Sequence, residues 1–139
     1  VSPVFLDTNV PMYAAGTDHS LRGPCQRVVR AAAEGTLDAV TDVEVFQEIL
    51  YRYWAIGQRQ AGLAVFDSFH RIMLGKILPV EQADIEQARA LLAQHAALSP
   101  RDAIHLAVMV TRGIREIISA DLDFDAVPGV QRIDPTTFG

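Results

Sequence analysis

Four carboxylates stand where a folding chain has little packing use for them. Asp7 closes the apolar run of V-F-L-D-T-N-V at residues 4–10. It reads as a helix cap, a role Asp fills well, or as a functional group, since Asn9 could cap instead. Glu48 sits in V-F-Q-E-I-L-Y-R-Y-W, outside the arc formed by Val45, Phe46, Ile49, Leu50 and Tyr53. An i,i+4 pair with Arg52 contributes about 0.2–0.5 kcal/mol, and Glu44 repels by a similar amount. Helix energetics therefore leave Glu48 unexplained. Asp102 lies in L-S-P-R-D-A-I-H-L-A-V, three residues after a serine suited to the N-cap and just after a proline suited to the first helical turn. A capping acid and a ligand are compatible readings of it. Asp121, Asp123 and Asp125 lie in I-S-A-D-L-D-F-D-A-V. This is no calcium loop, because Ala126 and Arg132 stand where that loop needs Gly and Glu. Carboxylates gathered at one place repel and raise one another's pKa. A divalent cation removes that conflict, and oxygen-only ligands favour Mg²⁺ or Mn²⁺ over zinc.

The elements that must gather them read as alternating strands and helices. Strands are predicted over 3–8, 37–40, 77–80, 116–119 and 129–133. Helices are predicted over 9–15, 20–34, 42–56, 58–74, 81–97 and 99–112, most of them stopped by glycine. Contiguous apolar residues such as Val4, Phe5 and Leu6 suit a strand covered on both faces. The alternation predicts an α/β fold, with a short parallel sheet of about five strands flanked by helices on both faces. Ligands of such folds bind outside the carboxyl ends of the strands. Asp7 ends the first strand and Asp121 follows the fourth, so both are expected at that edge.

With 139 residues, one domain over 1–139 is expected. Half the residues are hydrophobic, which suits a globular chain rather than a disordered one. No apolar stretch is long enough to span a membrane, and no basic segment precedes an apolar one at the start. Cys25 is the sole cysteine, so neither an intrachain disulfide nor a thiolate metal cluster is expected. A cytoplasmic protein with no membrane contact fits these features. The net charge of −5 argues against a general nucleic-acid binder, unless a bound divalent ion reverses the local field.

In order and over the whole chain, these segments resemble the PIN-domain ribonucleases, and among them the VapC-type toxins of bacterial toxin–antitoxin pairs. F-L-D-T-N-V resembles the opening motif, T-D-V-E-V-F-Q-E-I-L-Y-R the helix with the second acid, S-P-R-D-A-I-H-L-A the third segment and I-I-S-A-D-L-D-F-D-A-V-P-G-V the closing one. The resemblance implies a Mg²⁺- or Mn²⁺-dependent endoribonuclease that leaves 5′-phosphate and 3′-hydroxyl ends. It assigns Asp7, Glu48, Asp102 and Asp121 to catalysis, with Asp7, Asp102 and Asp121 on the metal. Glu48 is then a ligand through water or orients the attacking water. Asn9, Ser119 and Asp123 are supporting groups. Arg22, Arg27, Arg30 and Arg101 are candidates for RNA contact. The aromatic-rich helix pair over 42–74 is similar to the region where an antitoxin segment docks, and an arginine of that partner could enter the acidic site. A homodimer is also implied.

Three rivals remain. A metal-independent ribonuclease would use His19, His70, His95 or His105. His105 lies one turn from Asp102, where the alternative is a packed or hydrogen-bonded helix residue. An aspartyl-phosphate phosphatase wants a second acid where Asn9 stands. A catalytically inactive PIN-like module would only bind RNA or protein.

Overall fold

The computed structural model describes residues 3–138. Five parallel strands form one sheet in the order β3-β2-β1-β4-β5: β1 (Val4–Leu6), β2 (Ala39–Asp42), β3 (Ile77–Leu78), β4 (Glu116–Ile118) and β5 (Gln131–Ile133). Six helices connect them: α1 (Asn9–Ala15), α2 (Arg22–Glu34), α3 (Val43–Ala55), α4 (Arg59–Met73), α5 (Gln82–Gln94) and α6 (Pro100–Thr111). From β1 the chain steps outward to β2 and β3, then crosses back to β4 and on to β5. Right-handed crossovers in opposite directions place their helices on opposite faces. Accordingly, α1, α2, α3 and α4 pack among themselves, while α5 packs on α6. The buried positions of the adjacent strands β1 and β4 are apolar because both faces are covered; Phe5, Leu6, Ile117 and Ile118 are fully buried.

The reversal of direction falls between β1 and β4, whose register pairs Leu6 with Ile118. The Asp7 amide extends this ladder by donating to the Ile118 carbonyl at 3.1 Å. Asp7 and the segment after β4 therefore meet at the switch point, where a crevice opens outside the strand ends. The fold class expected from the sequence is the one observed. Element boundaries differ from the expected ones by up to three residues, and two of these shifts have a physical reason. The second strand runs Ala39–Asp42 rather than 37–40, because pairing of Val4 with Ala39 and of Thr41 with Ile77 sets its register. The helix expected to reach residue 97 stops at Gln94, with His95 extended as its cap.

The α3–α4 hairpin is held close by Gly62. A Cβ there would lie 2.6 Å from the Tyr53 Cβ, so only glycine permits this approach. Among the described residues, no helix is long and apolar enough to cross a membrane.

Candidate active site

Asp7 emerges from β1 with 4% of its surface exposed, and three groups hold it. Its Oδ1 accepts from the Thr8 amide at 2.8 Å. Its Oδ2 accepts from the Ser119 hydroxyl at 2.6 Å and from the Asn9 amide nitrogen at 3.1 Å. Asn9 also reaches the Ser119 oxygen at 3.0 Å and accepts from the Ala120 amide at 3.2 Å. The β1 and β4 ends are thus tied together around one carboxylate. The cap reading of Asp7 gives way to this: α1 begins after Thr8 with no side-chain cap.

Glu48 comes from the middle of α3 and is 9% exposed, not on a solvated face. Its Oε1 accepts from the Thr8 hydroxyl at 2.8 Å and its Oε2 from Arg52 at 3.3 Å. Burial works to raise its pKa, but His105, Thr8 and Arg52 more than offset that and hold it at about 2. Asp102 sits in the first turn of α6. The Ser99 hydroxyl accepts from the Asp102 amide at 3.2 Å. Among the described residues, the reciprocal bond of a capping box is missing, so the Asp102 carboxylate is spent on no cap. Asp121 caps the 3-10 turn Leu122–Ala126 through the Asp123 amide, at 2.9 Å, and its own amide donates to the Ser119 oxygen at 3.0 Å.

Carboxylate oxygens of Asp102, Asp121 and Asp123 all lie within 4.8 Å of one another. Burial, then the charges of Asp7 and Asp121, push Asp102 up to about 7. Burial likewise raises Asp7, with Glu48 adding to the effect against His105 and the Ser119 and Thr8 bonds. Crowded acids that resist ionisation are the donor set an oxygen-liganded divalent ion would fit. A groove of about 490 Å³ runs over them, lined by Glu48, Arg52, Arg101, Asp102, Asp121 and Asp123.

The four acids singled out in the sequence, with Asn9, Ser119 and Asp123, meet at this edge. Of the four arginines, Arg101 joins them and the other three do not. Arg101 lines the groove, its guanidinium 4.4 Å over the Tyr51 ring and 3.9 Å from Glu44. Arg22, Arg27 and Arg30 lie on α2, and Arg30 lines a different groove between α1, α2 and α4. Thr8 and Asp42 were missed. Asp42 is buried at the end of β2, where its Oδ1 caps α3 by accepting from the Val45 amide at 3.0 Å and its Oδ2 meets His105 Nδ1 at 2.8 Å. The available signal was T-D directly before a helix that carries an unexplained glutamate.

A family model of the PIN domain matches residues 4–130, and the chain belongs to that family. It is 40% identical over 130 residues to ribonuclease VapC13 of Mycobacterium tuberculosis and to a VapC ribonuclease of Mycobacterium bovis, covering 94% of this chain and 98% of each relative. Among solved structures, the DNA-bound VapBC of Salmonella typhimurium superposes with a TM-score of 0.73 at 18% identity, over 97% of this chain and 99% of that one.

Proposed function

We propose that this chain is the ribonuclease toxin of a toxin–antitoxin pair, cutting RNA by divalent-metal-assisted hydrolysis. The observation that carries this reading is the convergence of Asp102, Asp121 and Asp123 within 4.8 Å of one another at the edge where Asp7 is also held. Kinship with VapC ribonucleases supports it. Asp7, Asp102 and Asp121 would hold Mg²⁺ or Mn²⁺, with Asp123 beside them. Such an ion, when bound, supplies Lewis-acid activation of water and neutralises charge on the phosphate.

The protein's own groups do the rest. Ser119, Asn9 and Thr8 hold the Asp7 carboxylate in place at the strand ends. Glu48, ionised far below neutrality, is a weak base and a good acceptor; it orients the attacking water rather than keeping its proton. Water adds at phosphorus and the bond to the 3′ oxygen breaks, giving a 5′-phosphate and a 3′-hydroxyl. Arg52 and Arg101, both on the groove, offer donors to the flanking phosphates. Asp102 must lose its proton for a cation to bind, so ion binding releases protons near neutral pH.

An antitoxin partner would dock on the α3–α4 surface, where Tyr51, Trp54, Ile56 and Leu63 are 40–62% exposed. Apolar side chains so grouped mark an interaction face. Relatives in solved VapBC complexes support such a partner. A homodimer and a cytoplasmic location belong to the same reading.

The test is cleavage of total cellular RNA by purified protein with Mn²⁺, with Mg²⁺ and with EDTA, followed by mapping of product ends. Metal-dependent cuts with 5′-phosphate ends are expected. Metal-independent cuts ending in cyclic phosphates would move catalysis to a histidine and overturn the proposal.

A further inference from the structure

Beneath the acidic groove lies a buried side chain that the proposed reaction does not use. His105 has no exposed surface and packs with its ring centroid 5.3 Å from that of Phe5. Its Nδ1 meets Asp42 Oδ2 at 2.8 Å. An ionised carboxylate only accepts, so Nδ1 carries the proton. Its other nitrogen, Nε2, has no hydrogen-bond partner among the described residues. It faces Asp7 Oδ1 at 3.7 Å and Glu48 Oε1 at 3.9 Å. Both distances exceed a hydrogen bond. They leave the lone pairs of the two acids available while holding a polar ring edge between them.

The anchor is equally specific. Asp42 caps α3, which carries Glu48, and grips α6, which carries Asp102 one turn before His105. One buried pair therefore touches or braces the elements that supply three of the acids. The ring edge fills the space between two carboxylates that come from separate elements, so the Asp42 anchor fixes how far apart they stand.

We infer that His105 is a positioning residue of the nuclease site: clamped by Asp42, it directs Nε2 between Asp7 and Glu48 and sets their separation. This rests on the ribonuclease reading above.

Two substitutions separate the two nitrogens. His105→Asn keeps a donor near the Nδ1 position for Asp42 and places nothing between Asp7 and Glu48. His105→Gln keeps a donor near the Nε2 position and gives up the Asp42 bond. Each full-length variant is compared with wild type by near-UV circular dichroism, by Mn²⁺ binding in EPR, and by kcat and KM on a labelled RNA that wild type cuts. His105→Asn is expected to remain folded and bind Mn²⁺ within about fivefold of wild type, because Asp7 keeps Ser119, Asn9 and Thr8. Its kcat should fall about 100-fold with KM nearly unchanged, the scale of loss expected when a group is misplaced by about 1 Å. His105→Gln should recover most of that loss. On the wild-type protein, Mg²⁺ should shift the His105 Nε2 resonance and leave those of His70 and His95 in place.

The inference is overturned if His105→Asn cuts at the wild-type rate. It is also overturned if both variants lose activity only in proportion to lost folded protein, if ¹⁴N coupling makes His105 a metal ligand, or if Mg²⁺ leaves its resonance unmoved while binding elsewhere. Failure of the ribonuclease reading looks different: wild type itself then binds no Mn²⁺ and cuts no RNA.

Discussion

The two ends of α6 each meet a carboxylate, and the two are treated oppositely. At the last turn, Asp84 of α5 is 3% exposed and surrounded by donors. The Glu81 amide reaches it at 2.9 Å, the Thr111 hydroxyl at 3.0 Å, and Arg112 at 3.2 and 3.3 Å through two nitrogens. Burial opposes ionisation, but these partners outweigh it and lower the Asp84 pKa. At the first turn, Asp102 is surrounded by other acids and its pKa is pushed up to about 7. A carboxylate that serves the fold is given donors. Asp102, which the proposed function assigns to the metal, is left short of them, and the fold bears the repulsion.

The strongest way to break this contrast is Asp7→Asn, which removes charge but little volume from the acidic end. RNA cleavage should fall about a thousandfold, the scale seen when one preorganised group leaves an active site, while circular dichroism is unchanged. Cleavage at the wild-type rate would end the assignment of Asp7 to the metal. At the other end, Asp84→Asn leaves the half-buried Arg112 against a neutral partner. It should cost about 2 kcal/mol of stability in urea unfolding, the scale of a hydrogen bond to a charged group, with the cleavage rate of the folded protein intact. Asp102→Asn should do the reverse. In EDTA it should raise stability by about 1 kcal/mol by relieving repulsion, a stability–activity trade-off, and it should lose the stabilisation Mn²⁺ gives wild type. Destabilisation in EDTA would show that Asp102 is a structural acid like Asp84.

The smallest effect is in pH dependence. Folded-state values of Asp102 and Asp7 lie above their ordinary ones. The stability they confer is complete below the ordinary carboxylate range and is lost as pH rises, for Asp102 through about 7. Asp84 and Glu48 are shifted downward, so their contribution is present above that range and is lost on acidification, for Glu48 through about 2. In EDTA, unfolding free energy should therefore decline between about pH 5 and pH 8, and Mn²⁺ should flatten the decline. A metal-free protein whose stability is flat over that interval would show that the acids do not confront one another in solution.

Much of this was legible in the chain, for reasons tied to particular residues. Contiguous V-F-L marked β1 and E-I-I-S marked β4, and Asp7 and Asp121, which follow them, had to fall at the carboxyl edge. Ser99-Pro100 set the start of α6 and with it the depth of Asp102. What stayed hidden depends on partners distant in sequence. Glu48 was judged by its helix neighbours, yet Thr8, 40 residues away, makes it a buried acceptor. His105 sits in an apolar helix and reads as packing until Asp42, 63 residues away, is known to face it. Asp123 is no more than a supporting group in the sequence, because its closeness to Asp102 depends on the 3-10 turn Leu122–Ala126. The two-residue displacement of β2 is likewise a matter of pairing, since L-D-A-V offers an equally apolar strand.

The bond between Ser119 and Asp7 spans 112 residues, and this has a consequence for biosynthesis. A ribosome delivers β1 and α3 well before it delivers β4 and the acids that follow. Until that last segment emerges, the first carboxylate lacks its anchors and the cluster lacks Asp121 and Asp123. Under the ribonuclease reading, the nascent chain is harmless to the translation machinery making it until β4 and the acids after it have been delivered.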